Sequence, residues 1–219
     1  MNPSAFPAPA SPPIQAPTPA IRPLILGSTS SYRRELLQRL QIPFDVAAPN
    51  IDETPLHGES PQLLAERLAL SKARAVASAF PQAVVIGSDQ VADLNGLPLG
   101  KPGNHERAVI QLRQMRGQTV IFQTAVAVVC MESGFEQSSL AAVRVKFRDL
   151  SDDEIENYLR SEQPYDCAGS AKSEGLGIAL LEFIESDDPT ALVGLPLIRT
   201  CKLLRAAGVN LLGTSKANS

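Results

Sequence analysis

The sequence predicts an α/β fold in which a single domain is built on a mixed central sheet. Predicted strands alternate with helices from residue 23 to about residue 115, and two long β segments follow, a pattern typical of mixed α/β sheets. A chain of 219 residues is long enough to bury one hydrophobic core. Its apolar fraction of 44 % and charged fraction of 20 % are those of an ordinary globular protein.

Charge and cysteine content exclude several classes of function. The formal net charge is −3 and no basic stripe is visible, so we expect no nucleic acid as a partner. Cys130, Cys167 and Cys201 form no CxxC pair, which argues against a disulfide framework and a structural zinc site and favours a reducing compartment. No apolar run reaches the roughly 20 residues of a membrane span. We therefore expect a cytoplasmic protein without a membrane partner.

Both ends of the chain are predicted to lie outside the folded domain. Residues 1–22 are rich in Pro and Ala and lack the early basic residues and continuous apolar segment of a secretory signal. Because prolines remove amide donors and fix φ, we expect this tail to be extended and disordered. The predicted domain covers residues 23–212, and residues 213–219 are predicted to be a flexible C-terminus.

The first predicted unit is a strand, a turn rich in hydroxyl side chains, and a helix. Leu24–Gly27 is a short apolar run that predicts a buried strand. The leucines of the following RRELLQRL segment fall at helical spacing, and Ser30 or Ser31 is a suitable N-cap. Residues 44–48, FDVAA, predict a second strand.

The second predicted unit is a long helix followed by a central strand. Ser60 as N-cap and Pro61 at the first helical position predict a helix over about residues 60–79. Ala83–Gly87 is continuously apolar, as expected for a strand that is covered on both faces. This strand is predicted to end just before Asp89.

The remaining segments alternate between helices, strands and loops. Their predicted bounds are a helix over Glu106–Met115, strands over Val120–Cys130 and Ser139–Phe147, a helix from Ser151 to about Ser161, a loop over Cys167–Gly177 and a helix over about Leu195–Ala207. Ser151 and Glu154 have the spacing of a capping box, which marks the start of the second of these helices.

A first candidate site for an anion lies at the start of the first helix. A strand that turns into a helix through Ser28 and further hydroxyl residues presents free amides and a positive helix end. Arg33 adds a guanidinium group whose geometry matches phosphate oxygens. Taken alone, these residues are also compatible with a capped helix that carries surface arginines.

Further candidates are carboxylates and cations at strand ends and in loops, where α/β folds place ligands. Asp89 can bind a divalent metal or accept a proton from water, or it can simply form a turn. Glu53 supplies another carboxylate, and Lys72 is a candidate cation. Lys101, on a narrow GKP loop, can hold a phosphate or be an ordinary exposed lysine. In combination, these groups are typical of a phosphate-handling site.

Seven motifs in order resemble those of the Maf family of nucleotide pyrophosphatases, between about Pro23 and Gly208. They are LILGSTSSYRRELL at 24–37, IDET at 51–54, LALSKA at 68–73, GSDQV at 87–91, GKP at 100–102, CAGSAKSEGLG at 167–177 and DPTALVGLPL at 188–197. The resemblance implies a Maf/ITPase-like domain with a cleft between two lobes, often as a homodimer. It also implies hydrolysis of a nucleoside triphosphate between the α and β phosphates, with Mg²⁺ or Mn²⁺ as cofactor.

The same resemblance implies roles for individual residues. Asp89 is the implied proton acceptor, and Glu53 and Asp89 are the implied metal ligands. The implied phosphate contacts are Ser28, Arg33, Lys72 and Lys101.

The base is predicted from three further positions. The CAGSAKSEGLG loop and the aromatic Tyr32 resemble the 7-methyl-GTP subgroup, whereas members that act on dTTP and UTP have Arg at this position. Methylation at N7 makes guanine a cation, which an aromatic face attracts by about 0.5–2 kcal/mol. Glu174 can accept the two N–H donors on one edge of guanine, and Gln90 is a second candidate specificity contact.

Two alternative functions remain open at the level of the sequence. The first is a pyrophosphatase that acts on dTTP and UTP or on a broad range of nucleotides. The second is a regulator that affects septum formation without catalysis, although the set of carboxylates and cations argues against pure binding.

Overall fold

The computed structural model describes residues 22–212, and nearly all of this part is folded into helices, strands and short connections. The predicted Pro-rich tail, apart from Arg22, and the predicted flexible C-terminus at 213–219 lie outside the described residues. No helix of the described part is long and apolar enough to cross a membrane.

Seven strands and five helices make up this part of the chain. In chain order they are β1 (Leu24–Gly27), α1 (Ser31–Gln38), β2 (Asp45–Ala47), α2 (Pro61–Ala79), β3 (Val84–Leu94), β4 (Leu97–Leu99), α3 (His105–Met115), β5 (Thr119–Cys130), β6 (Phe135–Phe147), α4 (Asp152–Glu162), β7 (Leu181–Glu185) and α5 (Leu197–Ala206). Short 3₁₀ turns lie at Ala168–Ser170, Leu176–Leu180 and Ala191–Val193.

The strands form one mixed sheet, as the sequence predicts, in the order β2-β1-β3-β5-β6-β7. The pairs β1–β2 and β1–β3 are parallel, whereas β5, β6 and β7 continue the sheet in antiparallel fashion from β3. The short β4 pairs with the far end of β3. The turn from β1 into α1 lies in the parallel part of the sheet, formed by β2, β1 and the first half of β3. In the antiparallel part, β3, β5 and β6 continue well beyond the end of β1.

The predicted helix starts are confirmed by their hydrogen bonds. The Ser30 side chain caps α1 by accepting from the Arg33 amide, and Ser60 caps α2 in the same way with Pro61 in the first turn. Ser151 and Glu154 form the predicted capping box of α4. Each cap satisfies an amide that the helix itself leaves without a partner, which is why these sequence signals are reliable.

The buried apolar side chains form separate clusters, and these clusters define two lobes. In the first lobe, α2 packs on one face of β1, β3 and β5, and α1 and α5 pack on the other face. In the second lobe, α3 and α4 cover the far halves of β5 and β6 through a cluster centred on Phe122, Val143 and Leu159. Both lobes share the long strands, so the predicted arrangement of two lobes around one sheet is confirmed.

Several predicted bounds are wrong where pairing between distant segments decides the structure. The central strand does not end before Asp89, because β3 continues to Leu94 and pairs Asp89 with Ala125 of β5. Strand β6 begins at Phe135 rather than at Ser139, because its first residues extend the ladder with β5 to Cys130. The sequence analysis also missed β4 and β7, which are three and five residues long.

Candidate active site

A cleft of about 300 Å³ lies between the two lobes, which is the size of a small-molecule site. Its walls come from the turn after β1 and the start of α1, from α2 and β3, and from the loops before β7 and α5. Its lining includes the predicted residues Ser28, Tyr32, Arg33, Glu53, Lys72, Gln90, Lys101 and Glu174. The fold therefore brings together every predicted site residue except Asp89 along this cleft.

Asp89 does not line the cleft itself but pairs with Lys72, which does. Lys72 Nζ donates to Asp89 Oδ1 at 2.7 Å and lies equally close, at 2.7 Å, to Glu53 Oε1. The Lys72 and Asp89 side chains are only 6 % and 10 % exposed, whereas that of Glu53 is half exposed. A buried ammonium thus joins the two carboxylates that the sequence analysis assigned to a metal.

The contact between Lys72 and Asp89 depends on Gly87. A Cβ atom at Gly87 would lie 2.2 Å from the carbonyl oxygen of Ala69 and 2.5 Å from the amide nitrogen of Ala73. Because glycine lets the backbones of α2 and β3 approach this closely, Lys72 on the helix reaches Asp89 two residues further along the strand. The sequence signal for this contact is the glycine that precedes Ser88-Asp89.

The predicted anion site at the start of α1 holds a well-oriented arginine. Arg33 Nε donates to the Gly194 carbonyl at 2.8 Å, and Arg33 Nη1 lies 3.4 Å from the buried Ser28 Oγ. Desolvation lowers the pKa of the Arg33 guanidinium, while Asp89 and Glu53 raise it. Since an arginine stays protonated in proteins, the group faces the cleft as a cation.

The loop before α5 orients Arg33, a role that the sequence analysis did not assign. Asp188 is fully buried and accepts from the Arg199 amide at 3.1 Å. Thr190 Oγ1 donates to the Leu195 carbonyl at 2.8 Å, so the turn around Gly194 is closed on both sides. The DPTALVGLPL motif was the available signal, and its function here is to present a backbone carbonyl.

Gln90 lines the cleft, but its amide group is largely engaged by the protein. Gln90 Nε2 lies 3.0 Å from the carbonyl oxygens of Ala191 and Leu192 and from Thr124 Oγ1. These contacts fix the side chain between β3, β5 and the loop before α5. A specificity contact by Gln90 stays a prediction, and its carbonyl oxygen is the atom left to make it.

Tyr32 and Glu174 lie at a part of the cleft that is rich in carboxylates. Burial is the main cause that raises the pKa of the Tyr32 hydroxyl, and Cys167 and Asp166 add to it, so the phenol stays neutral. Burial also raises the pKa of the Cys167 thiol to about 12. Asp166 lines the cleft beside Cys167 and was not predicted. The Asp166 and Glu174 carboxylates thus add negative potential at the neutral ring of Tyr32.

The lysine predicted on the GKP loop also reaches this cleft. Lys101 is exposed and the following Pro102 is buried. The Gly103 amide donates to the Tyr165 carbonyl at 2.9 Å, which ties the loop to the second lobe. Lys101 therefore lines the same cleft as Arg33 and Lys72. Cations from both lobes can hold one chain of phosphates between them.

The donor set fits a divalent cation that is bound together with phosphates. Residues 22–212 contain no group of three or more His, Cys, Asp or Glu side chains that could hold a metal by themselves. Mg²⁺ is usually held by one or two carboxylates, with substrate phosphates and water completing the octahedron. Glu53 and Asp89 offer such a pair, and the ammonium between them shows that this position favours positive charge.

Comparisons with known proteins agree with this geometry. The family model described as Maf-like protein matches residues 23–207. The 7-methyl-GTP pyrophosphatase of Polaromonas sp. (strain JS666) is 79 % identical over 211 residues, which is 96 % of each chain. The protein of that name in Albidiferax ferrireducens is 71 % identical and covers 89 % of this chain and 98 % of its own. A third, in Methylobacillus flagellatus, is 57 % identical and covers 87 % and 99 %.

Proposed function

We propose that this chain, which belongs to the Maf-like protein family, hydrolyses 7-methyl-GTP to 7-methyl-GMP and pyrophosphate. The observation that carries the proposal is a single cleft with two kinds of surroundings. Arg33 and Lys72 lie beside carboxylates that suit a metal and phosphates, whereas the rest of the cleft offers the aromatic ring of Tyr32 and the carboxylates of Asp166 and Glu174 to a cationic base. The names of relatives at 57–79 % identity support the same substrate.

The cations hold the triphosphate. Arg33, fixed by the Gly194 carbonyl, keeps guanidinium hydrogens for phosphate oxygens, and Ser28 supports the turn from which it reaches. Lys72 and Lys101 add point charges from the two walls of the cleft. Because Arg33 and Lys72 are oriented by protein contacts before the substrate arrives, they are placed to stabilise the negative charge that develops on the leaving pyrophosphate.

Asp89 accepts the proton of the attacking water. The water oxygen forms a bond to the α phosphorus, the bond from that phosphorus to the bridging oxygen breaks, and pyrophosphate leaves with the bond electrons. Asp89 Oδ1 is engaged by Lys72, so Oδ2 is the oxygen that receives the proton. A positioned general base of this kind contributes typically about 10²–10⁴-fold to the rate.

The proposal includes a divalent cation at Glu53 and Asp89. When bound, Mg²⁺ or Mn²⁺ neutralises phosphate charge and acidifies water. Titration of the protein with Mn²⁺ in the presence of a non-hydrolysable analogue measures this binding directly.

Tyr32 and Glu174 recognise the base. The neutral ring of Tyr32 attracts the methylated guanine by stacking and cation–π interaction, and Glu174 accepts from its N1 and N2 hydrogens. Side-by-side assays with 7-methyl-GTP, GTP, dTTP and UTP measure this preference. A higher kcat/KM with dTTP or UTP would replace the proposed substrate by those nucleotides.

Asp89→Asn is the decisive variant for catalysis. Lys72 keeps Glu53 as a partner at 2.7 Å, so we expect the variant to fold with a stability close to that of the wild type. Because asparagine cannot accept the proton, turnover should fall at least about 100-fold. Pyrophosphate release by a variant of confirmed fold is the measurement, and near-normal turnover would remove Asp89 from this role.

Location and assembly complete the proposal. The cysteines in the described part are free thiols, which supports a reducing, cytoplasmic compartment. Assembly as a homodimer is part of the proposal through the family resemblance, and the molar mass in solution tests it.

A further inference from the structure

The loop that carries Glu174 is tied to helix α4 by Glu162. Lys172 Nζ donates to Glu162 Oε1 at 2.9 Å, and the Leu176 amide donates to Glu162 Oε2 at 2.8 Å. The Lys172 amide donates to the hydroxyl of the buried Tyr158 at 3.0 Å. The Glu162 side chain is 15 % exposed, and both of its oxygens face this loop.

The side chain that Glu162 holds also lies on Tyr32. Lys172 Nζ is 5.8 Å from the centroid of the Tyr32 ring, within the range of a cation–π contact. Tyr32 lines the cleft, whereas Lys172 does not. The ammonium therefore lies over the Tyr32 ring without lining the cleft itself.

We propose that Glu162 is a positioning residue that balances the charge of Lys172 and so lets Tyr32 accept a cationic base. The inference rests on the proposed function, since it concerns how the same cleft selects 7-methylguanine. The Lys172 ammonium attracts the same π electrons as a cationic base stacked on the Tyr32 ring, and the two positive charges repel. The Glu162 carboxylate, 2.9 Å from Lys172 Nζ, cancels most of this repulsion.

A purely structural role for Glu162 leads to a different result. If Glu162 only anchors the loop, its loss weakens the binding of methylated and unmethylated guanine alike. If it balances charge, its loss weakens the binding of the cationic base selectively, and removal of the Lys172 charge restores the preference. A double-mutant cycle separates the two roles because the paired residues are in direct contact.

Equilibrium binding of the reaction product tests the inference without catalysis. Calorimetry measures the Kd of 7-methyl-GMP and of GMP for the wild type, Glu162→Gln and the double variant Glu162→Gln/Lys172→Met. We expect Glu162→Gln to lower the preference for 7-methyl-GMP at least about threefold, and the double variant to restore it. An unchanged preference in Glu162→Gln, or a loss that Lys172→Met does not restore, would overturn the inference.

Two controls keep the outcome unambiguous. Glu156→Gln removes another carboxylate of α4, one that pairs with Arg160 and His105, and should leave both affinities within about twofold of wild type. If Glu162→Gln does not fold, Lys172→Met alone decides. The uncompensated Glu162 carboxylate near the Tyr32 ring should then raise the preference for 7-methyl-GMP, and an unchanged or lower preference would overturn the inference. A wild-type protein that binds both nucleotides equally would overturn the inference, because no preference would then exist for Glu162 to set, whereas the proposed substrate is tested separately by the hydrolysis assays.

Discussion

Replacing Lys72 by methionine tests the buried charge cluster from which the catalytic proposal starts. Methionine keeps an unbranched stem of similar length, so the packing of α2 on β3 is largely preserved. The substitution leaves the Asp89 carboxylate, with a side chain only 10 % exposed, without its ammonium partner. Glu53 is affected much less, because its side chain is 56 % exposed and reaches water.

The expected loss of stability follows from this difference in burial. Removing one partner of a buried ion pair costs about 3–5 kcal/mol, and the neighbouring cleft favours the lower end of that range. In a protein of this size each kcal/mol shifts Tm by about 2–4 °C. Lys72→Met should therefore lower the free energy of unfolding by about 3 kcal/mol and Tm by about 6–12 °C.

Thermal and urea unfolding at pH 7 measure these changes, with Asp89→Asn and Lys72→Met/Asp89→Asn as the matched variants. The double variant contains no lone buried charge, so it should be more stable than Lys72→Met alone. The reasoning is refuted if Lys72→Met unfolds within about 2 °C of the wild type, or if the double variant is less stable than both single variants.

Three further predictions concern the backbone, the base and a helix cap. Gly87→Ala should lower the free energy of unfolding by more than about 2 kcal/mol and reduce activity, because its Cβ would lie 2.2 Å from a backbone oxygen of α2. Gly100→Ala, whose Cβ would meet open space, should change stability little. Equal Tm values for the two variants would contradict this reasoning. Tyr32→Ala should reduce kcat/KM for 7-methyl-GTP more than for GTP, and equal losses would show that the ring does not sense the methyl group. Ser151→Ala should lower the free energy of unfolding by about 1 kcal/mol, as measured by urea unfolding, and leave nucleotide binding intact, as measured by calorimetry. An unchanged free energy of unfolding would mean that the capping box contributes nothing to stability.

Much of the site was predictable because its charged residues occur in short, recognisable sequence motifs. The cations Arg33, Lys72 and Lys101 stand out as charges in turns, on an apolar helix and in a tight loop, and the structure places all three along one cleft. The positions of Asp166 and of the Gly194 carbonyl were not predictable. A single carboxylate or a backbone oxygen has no sequence pattern that shows where it will point.

The sequence by itself indicated the five helices, the caps Ser60 and Ser151, a choice between Ser30 and Ser31 for the cap of α1, and the identity of the charged groups. Ser30, Ser60 and Ser151 cap their helices through hydrogen bonds to the backbone amide three residues later. The local sequence around each helix start is therefore sufficient to suggest such caps.

The tertiary structure decided which of these groups meet. Asp89 lies in the middle of β3 because β5 pairs with it through a register that no local pattern specifies. Lys72 reaches Asp89 because α2 packs onto the glycine of that strand, and Lys172 covers Tyr32 because Glu162 draws its loop to α4. Contacts between distant residues depend on strand register and on how closely backbones approach, and both are fixed only when the whole core packs.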